Sequence, residues 1–169
     1  ALCKFNGWDL DDYLVKDHPV QQLMLTTISE ITETKKEEIY LGEDGCGVVV
    51  FGLPVKKMAY GFARLANPEY LPNKYKEAAQ RITKSISDHP DMIAGTKRFN
   101  TDLIEVLGDK LTGKMGAEGI FCLGLYNGPG ISIKVEDGNS RAVPPVIIDV
   151  LKTLDYLTEK ELDQLNEHV

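Results

Sequence analysis

Through the first two thirds of the chain, apolar residues recur at the spacing of amphipathic helices. From Pro19, which suits a first helical position, Val20, Leu23, Met24, Thr27, Ile28 and Ile31 form one stripe. Residues 35–38 read as a charged loop and 38–42 as a short strand. Pro54 opens a second helix, with Val55, Met58, Ala59, Phe62, Leu65 and Ala66 inward, and Asn67-Pro68 ends it. A third helix is predicted over 73–87, with Tyr75, Ala78, Ala79, Ile82 and Ile86 inward, and His89-Pro90 breaks it. Asn100 or Thr101 is placed to cap a short helix that Gly108 closes. The period then changes. Residues 111–116 and 119–125 read as strands. Ile131, Ile133 and Val135 alternate with Ser132 and Lys134, the period-2 mark of a strand with one wet face. Pro144 and Pro145 lead a helix carrying Val146, Ile147, Val150, Leu151 and Leu154. Thr158 and Glu161 are spaced as a capping box for a last one.

Three consecutive strands joined by short turns imply antiparallel pairing. The expected class is α+β: helices, then a short antiparallel sheet, then C-terminal helices. A chain of 169 residues suits one domain or a large piece of one. A split near residues 100–110 is possible, with no long linker to mark it. The opening Ala1–Gly7 reads as the last turns of a helix with Gly7 as a left-handed cap. The expectation is therefore a fragment that starts mid-helix.

Charge changes the picture by exclusion. With 26 acidic against 19 basic residues and a net charge of −7, the chain lacks the generic basic surface of a nucleic-acid binder and the polybasic segment of a membrane anchor. Its longest nearly apolar run, 45–55, is about half a bilayer span. No secretory pattern opens the chain. Cys3, Cys46 and Cys122 are odd in number and far apart, which fits free thiols in a reducing cytosol.

Candidate chemistry lies in a few segments, each with a plainer reading beside it. In Asp44-Gly45-Cys46-Gly47 a carboxylate and a thiol can point at one place, or the segment is a tight turn with a small thiol. Zinc needs three or four ligands, and His18, His89 and His168 are scattered, so a complete zinc site within the chain is not expected. In the segment 112–119, Lys114 sits in a predicted strand with Gly116 two residues on. This resembles the lysine-bearing strand element of serine β-lactamases. Lys114 would place positive charge beside a serine nucleophile, and the Ala117 N–H could donate to an oxyanion. Otherwise Lys114 is a hairpin lysine on a solvated face. The glycine spacing does not match a phosphate-binding loop. Residues 136–138 with Arg141 offer a surface ion pair or a substrate clamp, and the basic stretch 74–98 reads as a solvated helix face. Ser85 and Ser132 have no base at suggestive spacing.

Together, segments 13–21 (YLVKDHPVQ), 43–66 (EDGCGVVVFGLPVKKMAYGFARLA), 89–104 (HPDMIAGTKRFNTDLI), 113–125 (GKMGAEGIFCLGL) and 133–142 (IKVEDGNSRA) resemble the C-terminal half of the Rhizobium-type L-asparaginase II family. The resemblance runs through nearly the whole chain. It implies part of a serine β-lactamase- and glutaminase-like fold. It also implies hydrolysis of L-asparagine to L-aspartate and ammonia, using a serine nucleophile from an N-terminal half absent here. It carries over Lys114 as a catalytic residue, Cys46 as a zinc ligand and Asp44 as a residue orienting the loop or substrate. Zinc would be completed by a cysteine and a lysine of the absent half. A homodimer in the cytoplasm is expected for the full-length protein, and no turnover from this chain alone. Two positions depart from the family pattern: Val49 stands for a proline and Asn100 for an aspartate. The competing reading is a non-catalytic module that binds a small molecule or a protein.

Overall fold

The structure, a computed structural model, describes residues 1–168. The chain divides into two compact units, 1–57 and 58 onward. The division falls well before residues 100–110, because the elements on either side of that stretch share one core.

In the first unit, α1 (Leu2–Asn6) ends at Gly7, whose φ of 69° is the left-handed cap its sequence predicts. The α2 helix (Pro19–Thr32) starts at Pro19, and His18 caps it by accepting the Val20 N–H at 3.2 Å. Residues 36–38 form a single 3₁₀ turn. The strand that follows, β1 (Tyr40–Glu43), therefore starts two residues later than its sequence predicts. It pairs antiparallel with β2 (Val49–Gly52), and residues 44–48 make the connection.

The second unit is built on a three-stranded antiparallel meander: β3 (Leu111–Met115), β4 (Ile120–Leu125) and β5 (Gly130–Lys134), in that order across the sheet. The α+β class read from the sequence is the class observed. On β4, Phe121, Leu123 and Leu125 alternate onto one face and are fully buried. They pack with Phe99, Leu103 and Leu107 of α6 (Phe99–Leu107) and with Val143, Ile147 and Leu151 of α7 (Val143–Thr153). Each such side chain contributes roughly 1.5–3 kcal/mol by leaving water. The other face is lined by small residues. An ideal Cβ on Gly124 would overlap the Phe62 carbonyl oxygen, and one on Gly130 would overlap that of Ala59. The backbone of α3 (Val55–Ala66) thus lies directly on the sheet.

Helix extents follow the sequence closely, but their inward faces do not always. On α4 (Asn73–Asp88) the buried residues are Ala79 and Thr83, while Ile82 is 49% exposed. Thr83 can turn inward because its hydroxyl donates to the Ala79 carbonyl at 3.1 Å. Arg64 is buried on α3 because its Nε–H donates to the Tyr70 carbonyl at 2.8 Å. The α7 helix is apolar on several sides, so Val143 and Ile148 face the core while Val146 faces water, as does Leu154 just past its end. Residues 91–94 add a short helix, α5, after the His89-Pro90 break.

The last helix, α8 (Glu159–Gln164), opens with the complete capping box: Thr158 and Glu161 bond each other's backbone reciprocally. Lys110 Nζ donates to Glu161 Oε1 at 2.6 Å. That hydrogen bond, then the Thr158 N–H, hold the Glu161 carboxyl at about 2, down from an ordinary 4.5. A carboxylate depressed in the folded state stabilises above its unfolded pKa, and that stability is lost as pH falls through the folded value. Glu161→Gln is expected to cost about 1 kcal/mol at pH 7, since solvent screens a pair this near the surface. It should also flatten the fall in stability between roughly pH 4.5 and 2. Urea titrations across that window check it; parallel curves for parent and variant would refute the assignment.

Candidate functional site

Lys114 owes its position to sheet register. It lies opposite Cys122, which lies opposite Ser132, so the three form one row across β3, β4 and β5 on the face away from the main core. Cys122 Sγ and Ser132 Oγ are 3.1 Å apart. Burial pushes the Cys122 thiol up, only partly opposed by that contact, so it stays protonated and inert. Lys114 itself is exposed, and its Nζ donates to the neighbouring Met115 carbonyl at 2.6 Å.

β3 is an edge strand, and an edge leaves backbone groups to be satisfied. Here one buried side chain does it. Asn100 is 0% exposed in the first turn of α6. Its Oδ1 accepts the Met115 N–H at 2.7 Å and its Nδ2 donates to the Gly113 carbonyl at 3.4 Å. The amide therefore takes the place of a fourth strand on both sides of Lys114. This corrects the expectation that Asn100 or Thr101 caps α6: Arg98 stands at the N-cap, and no side chain caps the helix there. Thr101 is likewise buried, its hydroxyl donating to the Gly95 carbonyl at 2.7 Å. An amide that both donates and accepts matches this edge, whereas an ionised carboxylate could only accept.

A cleft of about 530 Å³ opens here, with Lys114, Gly116, Asn100, Arg98 and Ser140 in its wall. Past Gly116 the chain turns through Glu118 and Gly119, both at positive φ (56° and 66°). The Ala117 N–H, on the exposed outer part of this turn, has no hydrogen-bond partner among the described residues. Of the two residues, Lys114 lines the cleft and Ala117 does not.

Asp44 and Cys46 belong to the first unit, Lys114 and Ala117 to the second. Asp44 Oδ1 accepts the N–H groups of Cys46 and Val48 at 2.8 and 3.0 Å, and Gly47 turns the chain at φ 77°. That oxygen is committed to the loop's own backbone. Cys46 is exposed while Cys3 and Cys122 are buried, and all three are free thiols. Among the described residues, Cys46 belongs to no group of three potential metal ligands. The group that exists is Asp102, Glu167 and His168, held by a 2.7 Å contact between His168 Nε2 and Asp102 Oδ2. One thiolate does not make a zinc centre, so the residues here do not by themselves fit the metal. In a native thiol titration, one rapid equivalent is expected, lost in Cys46→Ser, with two slow ones released by denaturant. Rapid reaction of all three would contradict the burial of Cys3 and Cys122.

Several residues of this region escape a reading of the sequence. Arg98 and Lys97 belong to the basic stretch that reads as a solvated helix face, yet both line the cleft. Arg141 makes the ion pair foreseen for it, with Asp137 at 3.0 Å, and lines the same cleft. Asn100 carries one signal, a polar amide next to the apolar face of a short helix, but its partners are more than ten residues away.

No helix among the described residues is long and apolar enough to cross a membrane. A comparison with curated proteins gave no match. A family model described as L-asparaginase II matches residues 1–169, every position of the sequence, and by that match the chain belongs to the L-asparaginase II family.

Proposed function

We propose that this chain serves in the hydrolysis of L-asparagine to L-aspartate and ammonia, with Lys114 as its catalytic residue. The observation that carries the reading is the placing of Lys114. It stands on an edge strand braced by buried Asn100, at the wall of a cleft large enough for an amino acid, in a chain of the L-asparaginase II family. A lysine on the edge strand of an antiparallel sheet also suits a frame like that of the serine β-lactamases and glutaminases.

The nucleophile is assigned to a serine outside these residues. Ser85 is exposed on α4 and Ser132 contacts the Cys122 thiol, and neither lines the cleft. In the proposed reaction the serine oxygen attacks the side-chain amide carbon. Lys114 keeps the serine proton mobile and stabilises the developing negative charge. The Ala117 N–H donates to the tetrahedral oxyanion. The C–N bond breaks, the nitrogen leaves protonated as ammonia, and water releases L-aspartate from the acyl-serine. Asp44 is assigned to substrate positioning and Cys46 to a zinc site completed by donors elsewhere; no step runs through the metal. The full-length protein is read as a cytoplasmic homodimer, the compartment supported by three free thiols.

Ammonia release from L-asparagine tests this, with the full-length protein, its Lys114→Ala form and the 169-residue chain side by side. The full-length protein alone should be active. Ser140, which does line the cleft, is the control for a nucleophile within the chain. Ser140→Ala should leave turnover within a few-fold, and loss of all activity in that variant would overturn the assignment of the nucleophile.

A further inference from the structure

The cleft beside Lys114 is cationic out of proportion to the chain that forms it. The sequence carries more acidic than basic residues, 26 against 19. Yet Lys97, Arg98, Lys114 and Arg141 all line this one space, and among the described residues no Asp or Glu does. Like charges around a concavity repel one another, and its low-dielectric walls focus their field outward. Arg141 is partly neutralised, since its Nη2 donates to Asp137 at 3.0 Å. Lys97 and Arg98 are not. Both are exposed, and among the described residues neither side chain has a hydrogen-bond or ion-pair partner. The start of α6 adds to the same potential. It opens at Arg98 with no side-chain cap, and Phe99 and Asn100 at its first positions line the cleft as well. A helix N-terminus carries partial positive charge.

We infer that this cleft is a carboxylate site, in which Lys97 and Arg98 hold the α-carboxylate of the amino-acid substrate. The inference rests on the reading that Lys114 marks the reacting end. An anion bound here relieves the repulsion among the cations, and a guanidinium presents the fork of donors that matches a carboxylate. The dicarboxylate product carries a second negative charge within the same ring of cations, so it binds more tightly than the substrate and inhibits turnover.

The test is calorimetric titration of the full-length protein with succinate, L-aspartate and sulfate, on the parent and on Lys97→Gln/Arg98→Gln. Both side chains face solvent, so the double variant keeps its fold, which an unchanged melting temperature verifies. Succinate and L-aspartate should bind, with affinity falling about tenfold or more in the variant. In turnover the variant should raise KM for L-asparagine and weaken inhibition by L-aspartate, with kcat changed little. Equal affinity in parent and variant would overturn the site, and sulfate binding as tightly as succinate would overturn the carboxylate assignment. The two readings fail differently. Turnover with an unmoved KM in the variant removes this inference alone. Succinate binding that depends on Lys97 and Arg98, without ammonia release, leaves the site standing and removes the proposed reaction.

Discussion

Replacing Lys114 by alanine is expected to lower kcat for ammonia release from L-asparagine by about 10²–10⁴, the usual loss when a positioned acid–base group is removed. Stability should hardly change. The side chain is exposed, and its one hydrogen bond is to the carbonyl of the next residue. Lys114→Arg separates charge from proton handling. Arginine keeps the positive charge but does not release a proton in the working range. If the lysine moves the serine proton, the arginine form stays as impaired as the alanine form. If charge alone matters, it recovers most of the lost rate. Steady-state kinetics on the three proteins decides this. An alanine form as active as the parent would remove Lys114 from the mechanism while leaving the family assignment untouched.

The largest structural effect is expected from Gly130→Ala, with Gly124→Ala close behind. At both positions the added methyl would overlap a main-chain carbonyl oxygen of α3, that of Ala59 or Phe62. Overpacking within a core usually costs about 1–3 kcal/mol, occasionally more. Side chains can swing aside, but helix backbone must move as a whole, so a loss of about 3 kcal/mol or more is expected here. Gly45→Ala is the matched control. Nothing lies within 4 Å of its Cβ and its φ is not positive, so a change within roughly 0.5 kcal/mol is expected. Chemical denaturation with a common m-value measures all three. A Gly130→Ala form as stable as the parent would mean that α3 does not lie on the sheet as described. Because Lys114, Cys122 and Ser132 share that face of the sheet, a displaced α3 should disturb the row that carries the lysine as well.

Much of this molecule is legible one segment at a time. Pro19 at the head of α2, the left-handed Gly7 after α1, the Thr158–Glu161 box before α8 and the alternation through β5 are local signals. Their physics acts within a few residues, so reading the chain recovers them. Inward faces are less legible. Thr83 is buried because the Ala79 carbonyl one turn earlier accepts its hydroxyl, while Ile82 is left exposed. Hydrophobicity alone ranks those two the other way.

The sequence alone determined the α+β class, the main helices, the antiparallel meander and the family, because period, turn chemistry and motif order are written in neighbouring residues; the strand 49–52 and the short helix 91–94 it did not predict. It also singled out Lys114 as a candidate, through the glycine two residues on. Only the tertiary structure decided what surrounds that lysine. Asn100 reaches across 13 and 15 residues to complete the edge of β3, and Lys97, Arg98 and Arg141 gather in one cleft from separate segments. Hydrogen bonds and electric fields act through space. A residue's partners are therefore fixed by how the helices settle on the sheet, which no stretch of sequence states by itself.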